Sequence, residues 1–480
     1  MDNLVVLQGG GERGVLENNA SYATLLRAAS RAYSDSVARV RQAVVLRPLE
    51  REDGMARVAE ATRLAIEGGT PAVTSPLPRM YPGGMRIGRE EEEAVLEVLR
   101  SKRLFRYYGP TPGPSKVTEL EEAFAAVIGT KHCAAVSSGS AALMCALAGL
   151  GVGPGDEVIV PAYTWIASAS AVVAMGAVPI LAEVDQSLTL DPADVRRKIS
   201  PYTKAIIPVH MRGAPSQMDE LMAIAREHTL PVLEDVAQAD GGSYHGQRLG
   251  SIGDVGTFSL QFNKIITCGE GGMVTTNDDG ILRRVLMYND VVGGHRNKIP
   301  ADEILPGINF RMSELQGAVA LVQLGRLDEI LRDMRRRKAE IKDGIAGVAR
   351  QLGVEFRRIN DLDGDTGLAI IFFVPTPERA IFIAEALEAE GVDAFVVYRP
   401  DDVDYHVYAH WSPILGQRTW SANGGPWRWH EGTVEYSPDM CPRSLELLGR
   451  AINLDVSPDL SDQNVAEIIA AVNKVLSAAL

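Results

Sequence analysis

No apolar run in the chain approaches the ~18 residues that a membrane-spanning helix needs. The opening residues, MDNLVVLQGGGERGVLENN, also lack the basic stretch and long apolar core that mark a secretion signal. Cysteine is scarce: Cys133, Cys145, Cys268 and Cys441 stand far apart with no CxxC pair, which argues against a disulfide framework or a zinc site and fits a reducing compartment. Concentrated basic charge is missing too. Asp and Glu number 62 against 48 Lys and Arg, a formal charge of -14, so no face is expected to track nucleic-acid phosphates. His406, His410 and His430 have no company at metal-ligand spacing, and no metal is expected. The expectation is a cytoplasmic globular protein without nucleic-acid or membrane partners.

At 480 residues the chain exceeds the ~250–300 residues at which single cores stop growing, so two or more domains are expected. Residues 1–66 carry helical apolar spacing broken by RPLEREDG and read as a helical extension, packing against a dimer or covering a site's mouth. The Pro-rich TPAVTSPLPRMYPGG then punctuates the chain, and a large domain is expected over 77–330. Within it, short apolar runs (CAAVSS, DEVIVPA, VPILAEVD, KAIIPVH, LPVLEDVA, GTFSL, GMVTTN) alternate with helical stretches, the signature of a mostly parallel α/β sheet. A long charged helix links it to a smaller α+β domain over 331–480.

QFNKIITCGEGG sets one lysine, Lys264, between a strand-like run and a glycine turn. A lone lysine is ordinarily a solvated surface charge. Three other features change its weight. Asp235 ends the buried strand of LPVLEDVAQADGG, where open α/β sheets place ligand contacts, although a helix cap is its plainer role. Ser138, Gly139 and Ser140 form a small-residue turn between strand and helix, suited to hold a phosphate on free N–H groups. Trp165 follows another strand end, where an indole can cover a flat ring or simply fill a core. Phosphate anchor, ring cover, carboxylate and amine together describe pyridoxal phosphate, which needs an amine to attach it and an acid to keep its ring nitrogen protonated.

From residue 68 onward the chain resembles the DegT/StrS-type sugar and cyclitol aminotransferases, of fold-type I architecture. The resemblance rests on ordered motifs: SSGSAAL, PAYTWIASA, PVHMRG, LEDVAQADGG, GTFSLQFNKIITCGEGG and PGINFRMSELQGA. It implies a large domain built on a mostly parallel seven-stranded sheet and a smaller C-terminal domain. Carried over by position, Lys264 is the Schiff-base lysine, Asp235 the partner of the ring nitrogen and Gln238 a neighbour of the ring hydroxyl. Gly139, Ser140, Ala141 and Ser259 hold the phosphate, and Trp165 stacks on the ring. Asn309 reaches the phosphate of a neighbouring subunit, which implies a homodimer with shared active sites.

Sugar-dehydrating relatives carry His in place of the lysine, so the retained Lys264 implies ping-pong transamination from glutamine or glutamate. Gln261, in a slot where cyclitol and aminohydroxybenzoate branches also tend to place Gln, tilts the expected acceptor toward a cyclic polyhydroxy ketone of secondary metabolism. Tyr107, Tyr108, His210, Arg399 and the aromatic, His-bearing stretch DYHVYAHWSPIL are the further substrate candidates, each also readable as a packed aromatic or a solvated charge. Two alternatives keep the same lysine: an aminohydroxybenzoate-synthase-like or other non-transaminating enzyme, and a non-catalytic partner protein of the same fold.

Overall fold

The computed structural model describes residues 63–110 and 113–480. All but the last few residues of the helical extension expected over 1–66 lie outside them. Strands follow in the order β1 (His132–Val136), β2 (Glu157–Pro161), β3 (Val178–Ala182), β4 (Thr203–Ile206) and β5 (Leu233–Asp235). A small hairpin, β6 (Ser243–Tyr244) and β7 (Gln247–Arg248), precedes β8 (Val255–Ser259) and β9 (Gly272–Thr276). Strands β1-β9-β8-β5 are hydrogen-bonded in that order, as are β3-β2-β4. Parallel bridges Ile206 to Val232 and Val209 to Asp235 join the two sets into one seven-stranded layer. Only β9 runs against the other six.

Both faces of this sheet are covered, which is why its strands read as unbroken apolar runs. The period-2 alternation survives inside the burial: Val158 and Val160 enter one core while Ile159 between them enters the other. A helix of 38 residues, Glu314–Gln351, starts at Ser313, which caps it reciprocally with Gln316. At 1.5 Å per residue it is about 57 Å long. Its first half packs Leu324, Leu327, Ile330 and Leu331 under the large sheet, and its second half packs Ile341, Ile345 and Ala349 into a separate core. The boundary expected at 330/331 falls inside this unbroken helix.

That second core lies under an antiparallel sheet of β10 (Glu355–Phe356), β11 (Ala369–Phe373), β12 (Ala394–Val396) and β13 (Ala451–Asp455), in the order β10-β11-β13-β12. The fully buried Glu390 accepts from the Ala65 and Ala72 backbone N–H groups and pairs with Lys474, fastening residues 65–72 to this domain. Among the described residues no helix is long and apolar enough to cross a membrane.

Candidate active site

Six strands of the large sheet end on one side, and the turns after five of them, β1, β2, β4, β5 and β8, line a cavity of about 600 Å³. The carboxyl edge of an open α/β sheet is where ligands sit, because the loops there diverge and leave a crevice. Gly139, Ser140, Trp165, Asp235, Gln238, Ser259, Gln261 and Lys264 all line it. Residues spread over more than 120 positions of sequence thus meet at one place.

At one end the helix Gly139–Leu150 begins. Its cap is Ser138, whose hydroxyl accepts from the Ala141 N–H at 3.1 Å. Ala141, expected on the phosphate, therefore has its N–H committed, and the donors without a partner among the described residues are the N–H groups of Gly139 and Ser140. The turn sits close to its neighbours by virtue of glycine. A Cβ on Gly139 would meet Ser259 Cβ at 2.7 Å, and one on Gly272 would meet the Ser138 carbonyl oxygen at 2.4 Å. Gly272, the last glycine of the GEGG cluster, thus admits the turn to the sheet. Free N–H groups, a helix dipole and the Ser259 hydroxyl make this end fit a phosphate.

Toward the middle of the sheet, Asp235 is 4% exposed at the end of β5. Its Oδ2 accepts from the Ser168 hydroxyl at 2.8 Å, and Ser168 in turn meets Thr164 at 2.9 Å. Oδ1 accepts from the Ala237 N–H at 3.1 Å. Burial raises the Asp235 carboxyl, opposed by these two hydrogen bonds and by the Lys264 charge. A buried carboxylate held on both oxygens, with a cation nearby, fits a protonated ring nitrogen.

Lys264 is lowered by burial, against Asp240 and Asp235, which raise it. Such an amine spends part of its time neutral and able to take a proton. Asp240 is the unforeseen member: it is 1% exposed, neither of its oxygens has a hydrogen-bond partner among the described residues, and burial holds it well above the usual carboxylate range. Asp240→Asn removes the carboxylate that, once ionised, holds the lysine's proton. The Lys264 amine is then expected to titrate lower, read from the pH dependence of cofactor uptake by the apoprotein; an unshifted profile contradicts the coupling.

Trp165 is 46% exposed at the rim and packs against His406 at 5.0 Å and edge-on to Tyr405 at 6.3 Å. The segment carrying these two pairs with the turn after β2, through Thr164 N–H to the His406 carbonyl and Ile166 N–H to the Tyr405 carbonyl. The small domain thus supplies part of the wall: His406 and Asp455 both line the cavity. His406 is lowered by burial, with Asp404 at 2.7 Å opposing. Gln238 accepts from the Arg212 N–H at 3.2 Å, and Gln261 accepts from the Asn263 N–H at 2.9 Å.

The other expected substrate contacts do not line the cavity. His210 is fully buried: its Nδ1 accepts from the Ser216 N–H, so Nε2 carries the proton and donates to Glu234 at 3.1 Å. Glu234 also accepts from the backbone N–H groups of Gly250, Ile252 and Gly253, so His210 belongs to a buried network beneath the site. Glu234→Ala strands those donors and should destabilise the fold by about 3–5 kcal/mol, seen as a lower denaturant midpoint. Tyr107 packs under the Arg296 guanidinium, and Tyr108 is 68% exposed. Arg399 pairs with Asp401 and Glu385. Asn309 is exposed and accepts from the Arg311 N–H, outside its own chain's cavity.

Sequence reasoning missed Ser168, Arg212, Asp240 and Asp455, while His406 belongs to the expected stretch DYHVYAHWSPIL and lines the cavity. Ser168 and Arg212 stand inside the motifs PAYTWIASA and PVHMRG, but nothing in a linear pattern says which side chain faces the crevice.

Known proteins resemble this chain in sequence and in fold. An L-glutamine:2-deoxy-scyllo-inosose aminotransferase of Streptoalloteichus tenebrarius is 43% identical over 289 residues, 58% of this chain and 66% of that protein, so the match spans just under two thirds of the relative's length. A GDP-perosamine synthase of Caulobacter vibrioides is 42% identical over 260 residues, 54% of this chain and 67% of its own. Among solved structures, 3-amino-5-hydroxybenzoic acid synthase superposes with a TM-score of 0.70 at 28% identity, covering 84% of this chain and 99% of that one. The model of the DegT/DnrJ/EryC1/StrS aminotransferase family matches residues 85–418, and with the seven-stranded sheet and the cavity at its carboxyl edge it makes this chain a member of that family.

Proposed function

We propose that the protein is a pyridoxal-phosphate-dependent aminotransferase that takes its amino group from glutamine or glutamate and delivers it to the ketone of a cyclic polyol. The observation that carries this reading is the meeting of Lys264, Asp235 and the unpartnered Gly139 and Ser140 N–H groups around one cavity.

Pyridoxal phosphate, when bound, supplies a conjugated ring that spreads the electron pair left on the substrate carbon. The residues do the rest. Gly139, Ser140 and Ser259 would anchor the phosphate, and Asp235, steadied by Ser168, would hold the ring nitrogen protonated. Lys264 takes a proton from the carbon bearing nitrogen and returns one on the other side of the exchange. Because donor and acceptor would occupy the same cavity in turn, the donor's keto product leaving before the acceptor enters, the kinetics would be ping-pong.

The acceptor reading rests on Gln261 in the cavity wall and on the likeness to the deoxy-inosose aminotransferase. The likeness to the GDP-perosamine synthase, at nearly the same identity, marks a nucleotide keto-sugar as the acceptor to be tested against it. The exposed Asn309, outside its own cavity, suits a homodimer in which it completes the phosphate site of a second copy.

The test is a spectral one. L-Glutamine or L-glutamate should shift the absorbance of the cofactor-loaded protein, and a keto-cyclitol should restore it where a nucleotide keto-sugar does not. No shift with any amino donor sinks the transamination reading, and restoration only by nucleotide keto-sugars replaces the cyclitol.

A further inference from the structure

The expected contact His210 is buried, but Arg212, two positions on in the same PVHMRG motif, lines the cavity. It stands in the turn after β4 with φ 50° and ψ 44°, a left-handed conformation that non-glycine residues seldom adopt. Two contacts hold it there. Its own N–H donates to Gln238 at 3.2 Å, and the adjoining Gly213, at φ 79°, accepts from the Thr366 N–H at 3.0 Å. A Cβ on Gly213 would meet Thr366 Oγ1 at 2.2 Å, so the turn is pressed directly against the small domain.

The guanidinium this turn presents is under-used. Five N–H donors are available, yet among the described residues the side chain's one hydrogen bond of normal alignment, from Nη1 to Asp455 Oδ1, is 3.4 Å long, with the Tyr163 hydroxyl its other polar neighbour. That oxygen also accepts from the Asn453 amide at 2.7 Å. Nε is buried without a hydrogen bond, as is the neighbouring Tyr163 hydroxyl, and the flat face lies over Phe395 at 5.1 Å. The nearby Tyr163 and Asp455 raise its pKa against the effect of burial, so it stays a cation throughout the physiological range. A permanent, partly desolvated fork with free donors, opening on a cavity, is built to take a planar anion in bidentate fashion.

Which anion follows from the reaction. A keto-cyclitol carries none, and the cofactor's phosphate has its own place at Gly139, Ser140 and Ser259. The charge that every cycle must bring in is the carboxylate of the amino acid donor. We propose that Arg212 is the donor-carboxylate receptor of this site, its fork closing on the two carboxylate oxygens while the donor's amino group faces Lys264. This rests on the aminotransferase reading and adds the residue that makes the donor an amino acid instead of a simple amine.

The experiment uses the cofactor-loaded protein and two unreactive glutamine mimics, glutaramate, which keeps the carboxylate, and glutaramide, which replaces it by a neutral amide. Calorimetry on the wild type should give glutaramate the tighter binding by about 100-fold, and Arg212→Gln should erase that preference. In parallel, kcat/KM for glutamine in the donor half-reaction should fall about 100-fold in R212Q, well beyond any change in the acceptor half-reaction. Arg212→Lys keeps the charge without the fork and should lie between the two; it is the deciding variant if R212Q does not fold. Equal glutaramate preference in wild type and a folded variant overturns the proposal, as does a loss confined to the acceptor half-reaction. If the wild type converts no amino donor at all, the aminotransferase reading fails, and this outcome is separable from the failure of Arg212 alone.

Discussion

Lys264→Ala is expected to abolish amino transfer, lowering kcat/KM by more than about 10⁴-fold, because it removes both the covalent anchor and the proton carrier. Borohydride treatment of the wild type should fix the cofactor's mass to the peptide containing Lys264, and the variant should show no such adduct. The variant should stay folded, since the Lys264 side chain makes no hydrogen bond or ion pair among the described residues, while its backbone N–H to Gln261 at 3.0 Å survives the change. Retained turnover with the adduct on another lysine would refute the assignment. Burial is what fits this amine to proton transfer. A solvated lysine would be protonated almost all the time, whereas the low-dielectric wall lowers Lys264 against the pull of Asp240 and Asp235.

The second large effect is expected at Asp235. Asp235→Asn keeps the size of the side chain and leaves an oxygen to accept from Ser168, but removes the negative charge facing the ring nitrogen. Loss of an electrostatic partner preorganised in a buried site should cost about 10²–10³-fold in kcat. Ser168→Ala, which leaves the charge and removes one support, should cost far less. A stability readout separates charge from shape. Burial raises the Asp235 carboxyl above its unfolded value, so the apoprotein holds that proton more tightly than the unfolded chain. This group's contribution therefore favours the apo fold at low pH and is lost as pH rises from the unfolded carboxylate range through the raised value. A cationic ring nitrogen opposite the carboxylate reverses that loss. The rise in melting temperature on adding cofactor should thus be smaller in Asp235→Asn than in wild type at neutral pH. An equal rise in both would show that Asp235 meets no cation.

The large sheet was legible because burial on both faces forces each strand to be apolar throughout and helices to intervene between parallel neighbours. Runs such as DEVIVPA and GTFSL announce this directly, and they become β2 and β8. The places of Lys264, Asp235, Ser140 and Trp165 on the cavity wall were legible for a related reason: each ends or follows a strand, and strand ends of a parallel sheet gather on one edge. The rim was not. His210 and Arg212 are two residues apart in one turn, and only a left-handed backbone at Arg212 turns one inward and the other toward the cavity. His406 and Asp455 come from the other domain, and no local pattern brings a residue of β13 to the end of β5.

Asp240 shows the same division. By sequence it is an acid in a polar turn, LEDVAQADGG, of a kind usually solvated. Its burial beside Lys264 follows from the packing of the glycines after it: a Cβ on Gly241 would meet Leu331 at 2.6 Å, so the turn lies flush against the long helix and the carboxyl is carried inward.

The QFNKIITCGEGG segment holds both kinds of information. Its residue types and spacing determined, with no fold in hand, that a lysine would stand between a strand end and a glycine turn, since local backbone preferences are short-ranged. Only the tertiary structure decided what that lysine is worth, because the acidity of an amine depends on the dielectric and the charges around it, and Asp235, Asp240 and Arg212 reach Lys264 from other strands and turns.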